Sequence, residues 1–277
     1  MSSSGVATGS KPKVSPLAPR AVGRVNWLGV ASLYRRELKR FLSEWRRTLG
    51  GAAVSGLLFL IAFHLALDPA PQPLPGVSLI AFLIPGLVVI SIAQRSFEAA
   101  AFSIVFDKLE GIIVDVLTPP LSPAERALAY ALAAASAGLA SGAAVALILA
   151  PFALWSKIQL LPLLFFLAGT ALLHALFGIA AGLWAERWEK LAATQTFALA
   201  PLIYLSGAFF PTSGIPYWGR KAVQLNPAYY AVDGLRFSWV GQSEQAPLLG
   251  AGVLISLNLL LLILAWRLFA VGYKLKP

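Results

Sequence analysis

Along this chain apolar residues gather in long blocks and do not alternate with polar ones. Six blocks are long enough to cross a bilayer: 50–67, a stretch from about Val77 into the nineties that can continue as helix to Phe106, 127–150, 161–184, 192–210 and 248–271. The first would be about 27 Å long as a helix, close to the roughly 30 Å of a hydrocarbon core. Prolines mark several block ends (Pro69, Pro71, Pro73, Pro75, Pro151, Pro211), while Pro85 and Pro201 fall inside blocks, where kinks are expected. Residues 1–26, rich in Ser, Gly, Pro and Lys, lack the apolar core of a signal peptide and read as a disordered tail.

Two amphipathic patterns interrupt the blocks. In 27–49, WLGVASLYRRELKRFLSEWRRTL, residues Trp27, Val30, Ala31, Tyr34, Leu38, Phe41, Leu42, Trp45 and Leu49 recur at three- and four-residue steps, with Arg35, Arg36, Lys39, Arg40, Ser43 and Arg47 largely opposite. This predicts an interfacial helix, its apolar face in acyl chains and its basic face near anionic head groups. In 106–125, FDKLEGIIVDVLTPPLSPAE, Leu109, Ile112, Ile113, Val116 and Leu117 form an apolar stripe, with Asp107, Glu110 and Asp115 mostly off it. The helix is about ten residues, too short to span, and Thr118-Pro119-Pro120 ends it. Ser122-Pro123-Ala124-Glu125 then reads as a capping box opening the next span. A helix this short is marginal alone, so its apolar face is expected to dock on the bilayer or on a partner protein.

Composition agrees with lipid as the solvent. Of 277 residues 58% are hydrophobic and only 12% charged, against about one quarter charged in soluble domains. Cysteine is absent, which excludes disulfide and thiolate sites. The net charge of +10 is a matter of placement. Ten Lys and Arg precede the first block, and Lys108, Arg126, Arg187, Lys190, Lys274 and Lys276 follow on the same side if the chain crosses at each block. The other side receives Lys157, Arg220, Lys221 and Arg236. That asymmetry puts both termini in the cytoplasm and leaves little case for nucleic acid.

Candidate chemistry is sparse. Arg95 and Glu98 lie in the second block, where a bare mid-bilayer charge costs at least about 2.5 kcal/mol. They are either a polar patch on a translocation path, together with Gln195 and Tyr204, or an ion pair holding the helix near the interface. Gln195, flanked by Thr194 and Thr196, opens the fifth block, where polar side chains more often bond helix to helix than bind cargo. His64 and His174 lack carboxylates at ligand spacing, so no metal site is expected. Ala134, Gly138 and Gly142 offer a face for close helix approach. An alternative function takes Asp107, Glu110 and Asp115 as a Mg²⁺ site for lipid-phosphate chemistry, but Glu110 would stand roughly 300° from Asp107 around a helix. No H-E-x-x-H or G-x-S-x-G occurs, so no catalytic residue is assigned.

From about Trp27 onward the chain resembles the membrane subunit of type-2 ABC exporters. The resemblance rests on the interfacial helix, on LEGIIVDVLTPPLSPAE (109–125), on LAPLIYLSGAFFP (199–211) and on QLNPAYYAVDGLRFSWVG (224–241). It implies an all-α integral membrane protein with six spans over 50–271 and a short cytoplasmic C-terminus, 272–277. It also implies a coupling helix at about 107–118, with Asp107, Glu110, Ile112, Ile113, Asp115, Val116, Leu117 and Pro119 facing an ATPase. Two re-entrant helices within 211–247, broken at Asn226-Pro227, would close an outer gate containing Pro211, Tyr229, Tyr230, Asp233 and Arg236. Asp233 and Arg236, one turn apart, are expected to pair. The chain contains no Gly-Lys pair and hence no phosphate-binding G-x-x-x-x-G-K-[ST] loop. It is therefore expected to be no enzyme and to hold no cofactor. By resemblance, ATP and Mg²⁺ would be bound by two copies of a separate ATPase, and two permeases, identical by default, would pair in the bacterial inner membrane. The cargo so implied is a lipid-linked glycan, a glycolipid or an amphiphilic drug moving outward.

Overall fold

The computed structural model describes residues 23–67, 73–152 and 158–275. Most of the expected tail, Pro69, Pro71, Lys157 and Lys276 lie outside the described residues. Within them the chain is helical, and its only extended pairing is an isolated bridge between Leu74 and Val77.

The helices are α1 (Trp27–Ser43), α2 (Trp45–Leu67), α3 (Leu79–Leu109), α4 (Ile113–Leu117), α5 (Pro123–Leu149), α6 (Leu160–Trp184), α7 (Trp188–Thr194), α8 (Ala200–Tyr204), α9 (Tyr217–Gln224), α10 (Pro227–Val240) and α11 (Pro247–Ala270). Five of them, α2, α3, α5, α6 and α11, are long and apolar enough to cross a membrane. The capping box forms as expected: Ser122 Oγ accepts from the Glu125 amide, and the Glu125 carboxylate accepts from the Ser122 amide.

Two boundaries differ from the sequence reading. The interfacial helix stops at Ser43, and Trp45 already begins α2, so the first crossing starts five residues before position 50. The expected fifth crossing, 192–210, is a composite of α7, a π-helical turn over Gln195–Leu199, and α8. Pro201 supplies a cause, since it has no amide hydrogen and its ring crowds the carbonyl four residues back. The ladder there opens to a bond from the Ala200 amide to the Gln195 carbonyl. Residues 205–210 then leave the helix through Gly207, whose φ of +72° glycine adopts at little cost.

α3 is the centre of the bundle, and Phe82, Ile92, Phe97 and Ile104 on it are fully buried. It touches α5 and α6 through small residues, as the Ala134–Gly138–Gly142 face predicts. A Cβ on Gly142 would come within 2.4 Å of Ile92 Cγ1, and one on Gly178 within 2.4 Å of the Phe97 carbonyl oxygen. In lipid, where burial of apolar surface drives little association, such close backbone packing is a main source of cohesion. Gly178→Ala should therefore force α6 off α3 and cost about 1–3 kcal/mol. Thermal unfolding in detergent should show this, with Gly252→Ala, which meets nothing within 4 Å, as an unaffected control.

The bundle has two distinct ends. At one, the Asn26 amide donates to Glu125 Oε1 (2.6 Å), Lys108 Nζ donates to the carbonyls of Leu183 and Ala185, and Lys274 Nζ pairs with Glu186 (2.7 Å). At the other, Gln242 reaches the Pro75 carbonyl (2.8 Å) and Glu244 accepts from the Thr212 amide (2.7 Å). Both described chain ends lie at the first, basic end.

Candidate functional site

At the basic end the expected coupling helix is shorter and turned differently from its sequence pattern. Gly111, at φ +72°, breaks the helix after α3, leaving only the five residues of α4. Ile113 and Val116 are buried within this chain and so cannot be the partner-facing stripe. Ile112 and Leu117 are half-buried, while Leu109, Glu110, Val114, Asp115 and Pro119 stand exposed.

Asp107 is the larger correction. Its side chain is 0% exposed, so it meets no partner protein. One oxygen accepts from Arg36 Nη2 and from the Tyr130 hydroxyl (3.1 Å), the other from Arg40 Nη2 (2.8 Å). Glu37, also buried, accepts from Arg36 Nε (2.9 Å) and from the Ser103 hydroxyl. Arg36 and Arg40 therefore turn toward the bundle and not toward head groups, while Arg35 and Lys39 remain exposed. A carboxylate held by two guanidinium groups is unavailable to a cation, and Glu110 and Asp115 face outward apart from it. The three carboxylates of the Mg²⁺ reading thus share no site.

Above this cluster a groove opens between α1 and α2 on one side and α7 and α8 on the other. It comprises a cavity of about 560 Å³ bordered by Arg40, Phe106, Arg95, Glu98, Trp188 and Gln195. A second, of about 300 Å³, shares Thr48, Arg95 and Glu98 with the first and reaches Tyr204 and Phe209. Arg95 and Glu98 form the ion pair of one reading (3.7 Å), and both also line the groove. Gln195 Nε2 donates to Glu98 Oε1 (3.3 Å), and Tyr204 stacks beside Phe209 at 6.4 Å.

At the opposite end, α9 and α10 meet at Asn226-Pro227 as expected. Asn226 caps α10 by accepting from the Ala228 amide (2.9 Å) and donates to the Leu202 carbonyl (2.6 Å), which fixes the break against α8. Asp233 and Arg236 approach to 3.9 Å, both buried. Arg236 donates to the Gly207 carbonyl (2.9 Å) and lies 3.7 Å from the centre of the Phe82 ring, a cation–π arrangement. Asp233 accepts from the amides of Glu244 and Gln245 (2.8 and 2.9 Å). Buried Tyr229 donates to Glu244 (3.4 Å), Tyr230 packs edge-on against Tyr229, and Pro211 leads into the short turn Thr212–Gly214. Glu244 escaped the sequence reading, because a single acid in a polar linker carries no periodic signal. His174 is buried and its Nδ1 meets the Thr170 carbonyl oxygen (2.9 Å), a helix-internal contact.

The comparisons with known proteins cover most of the chain. The ABC-2 type transporter family matches residues 29–239. An inner membrane transport permease, YadH, of Escherichia coli (strain K12) is 26% identical over 255 residues, 90% of this chain and 98% of the relative. Nodulation protein J of Rhizobium leguminosarum bv. trifolii is 26% identical over 219 residues, covering 77% of this chain and 81% of its own. Nodulation protein J of Bradyrhizobium diazoefficiens is 29% identical over 209 residues, with 72% and 78% covered. With the family match running from α1 to the end of α10, the chain belongs to the ABC-2 type transporters, as a membrane permease subunit.

Proposed function

We propose that this permease is the membrane half of an ATP-driven exporter of the bacterial inner membrane, with both termini cytoplasmic and with two copies each of permease and ATPase. The observation that carries the reading is the exposed surface of Glu110, Val114 and Asp115 at the basic end of the bundle, acidic and partly apolar, left out of the packing that runs through Ile113 and Val116. There Glu110, Val114, Asp115 and Pro119 would meet the ATPase, with Ile112 and Leu117 at the margin. ATP and Mg²⁺ would bind the ATPase, and the permease would hold no cofactor.

The groove along Arg95, Glu98, Gln195 and Tyr204 supplies the path. Its wall combines charges of both signs, amides, hydroxyls and aromatic rings, which suits an amphiphile with a hydrogen-bonding head group, such as a lipid-linked glycan, a glycolipid or an amphiphilic drug. The outer elements Pro211, Asn226, Pro227, Tyr229, Tyr230, Asp233 and Arg236 would form the gate.

The test is copurification followed by comparison of cargo. A tagged permease should retain a soluble ATPase with a phosphate-binding loop, and cells lacking the permease should differ in exported lipids or glycans by mass spectrometry. Glu98→Ala should reduce export while leaving the ATPase bound. Export that continues without any ATPase would remove the proposal.

A further inference from the structure

The geometry points to a binding site for the phosphate of an anionic phospholipid of the inner leaflet, built from Lys108, Lys190 and Lys274 around the exposed indole of Trp184. The inference needs only that the basic end of the bundle faces the cytoplasm. It stands apart from the choice of cargo and from the ATPase, and it gives these lysines a role beyond fixing the direction of insertion.

Three separate stretches bring the lysines together. Lys108 comes from the last turn of α3, Lys190 from the first turn of α7, and Lys274 from the chain just after α11. They meet at the elbow between α6 and α7. Lys274 Nζ lies 2.7 Å from one oxygen of Glu186, and Lys190 Nζ donates to the other. Both ammonium groups stand 5.8 Å from the centre of the Trp184 ring. Lys108 Nζ donates to the carbonyls of Leu183 and Ala185, close enough to the other two lysines for mutual repulsion.

Counting charge shows what the elbow lacks. Among the described residues, Glu186 is the one carboxylate that pairs with these three cations. The last carbonyls of α6 offer about half a negative charge more, so more than one positive charge stays unanswered. Arg187 and Glu189, next along the chain, are exposed and offset each other. Trp184 closes α6 and is itself exposed, the position of a ring at the level of lipid head groups. A ligand with an anionic head and an apolar body fits both halves of this place. A phosphodiester has two free oxygens to accept from the ammonium groups, while its acyl chains lie along the apolar helices. Basic pockets between spans on the cytoplasmic side hold such head groups. Inorganic phosphate would supply the charge but leave the apolar half empty.

The test uses the full-length permease, purified in dodecyl maltoside, stripped of lipid and titrated with phosphatidylglycerol under native mass spectrometry. Phosphatidylcholine and inorganic phosphate form separate arms. Phosphatidylglycerol should bind in preference to phosphatidylcholine, and millimolar phosphate should not displace it. The joint variant Lys190→Gln, Lys274→Gln should weaken binding roughly 30-fold, about fivefold for each basic residue facing an anionic lipid. Glu186→Gln removes the competing carboxylate and should tighten binding, which also keeps the test alive if the joint variant does not fold. Arg35→Gln with Lys39→Gln, exposed on α1 at the same end, should change nothing. An equal loss in the α1 variant would reduce the effect to general attraction by a basic face and overturn the site. Unchanged binding in the joint variant, or weaker binding in Glu186→Gln, would overturn it too. Displacement by millimolar phosphate would make it a free-anion site. Loss of a copurifying ATPase from the joint variant, with lipid binding intact, would assign the patch to a protein partner instead.

Discussion

Asp107→Ala is expected to be among the most damaging single changes in the chain, lowering stability by about 3–5 kcal/mol, the range for removing one partner of a buried ion pair. The reason is asymmetry. With the carboxylate present, Arg36, Arg40 and Tyr130 all have their charge or hydroxyl answered at a site that is 0% exposed. Without it, two guanidinium groups at the end of α3 confront each other and Glu37 alone. Each is roughly one third exposed, so partial rehydration puts the loss toward the lower end of that range. Thermal unfolding of the purified protein measures it. A quadruple variant that also replaces Arg36 and Arg40 with methionine and Glu37 with glutamine should recover much of the loss, because it removes every charge of the cluster and leaves none unanswered. If the single variant unfolds like the parent, the cluster holds nothing together.

The joint variant Val114→Arg, Asp115→Arg should separate permease from ATPase without touching the fold. Both residues are exposed on α4 and take no part in its packing, which runs through Ile113 and Val116. Burying two like-charged guanidinium groups against a surface that accepts Val and Asp should cost at least about 2 kcal/mol of binding, a weakening of roughly 30-fold. Pull-down with membrane-extracted protein reads the loss, and an unchanged unfolding midpoint confirms that the bundle survives. Normal ATPase retention would move the docking surface away from α4.

How much of this was legible in the sequence differs from element to element. Long apolar blocks announce the crossings because lipid demands them, and the Ser122–Glu125 capping box and the Asn226-Pro227 break carry their signals locally. The pairing of Asp233 with Arg236 was legible too, being one turn apart on one helix. The orientation of α1 was not. Arg36 and Arg40 look like Arg35 and Lys39 in any local pattern, and only Asp107, some seventy residues away, decides which of them turn inward. The same blindness hid Glu37, whose partners are Arg36 and Ser103. Gly111 did offer a signal, since a glycine between Glu110 and Ile112 is a natural break, but the apolar stripe running across it suggested continuity.

The π turn at Gln195–Leu199 settles a matter of angular phase. In an uninterrupted α-helix nine steps rotate about 900°, which would put Gln195 and Tyr204 on opposite sides. The turn absorbs one residue without advancing the spiral, and their offset falls to about 80°. That single surplus residue lets side chains a little over two turns apart look into the same groove, the one toward Glu98 and the other toward Phe209.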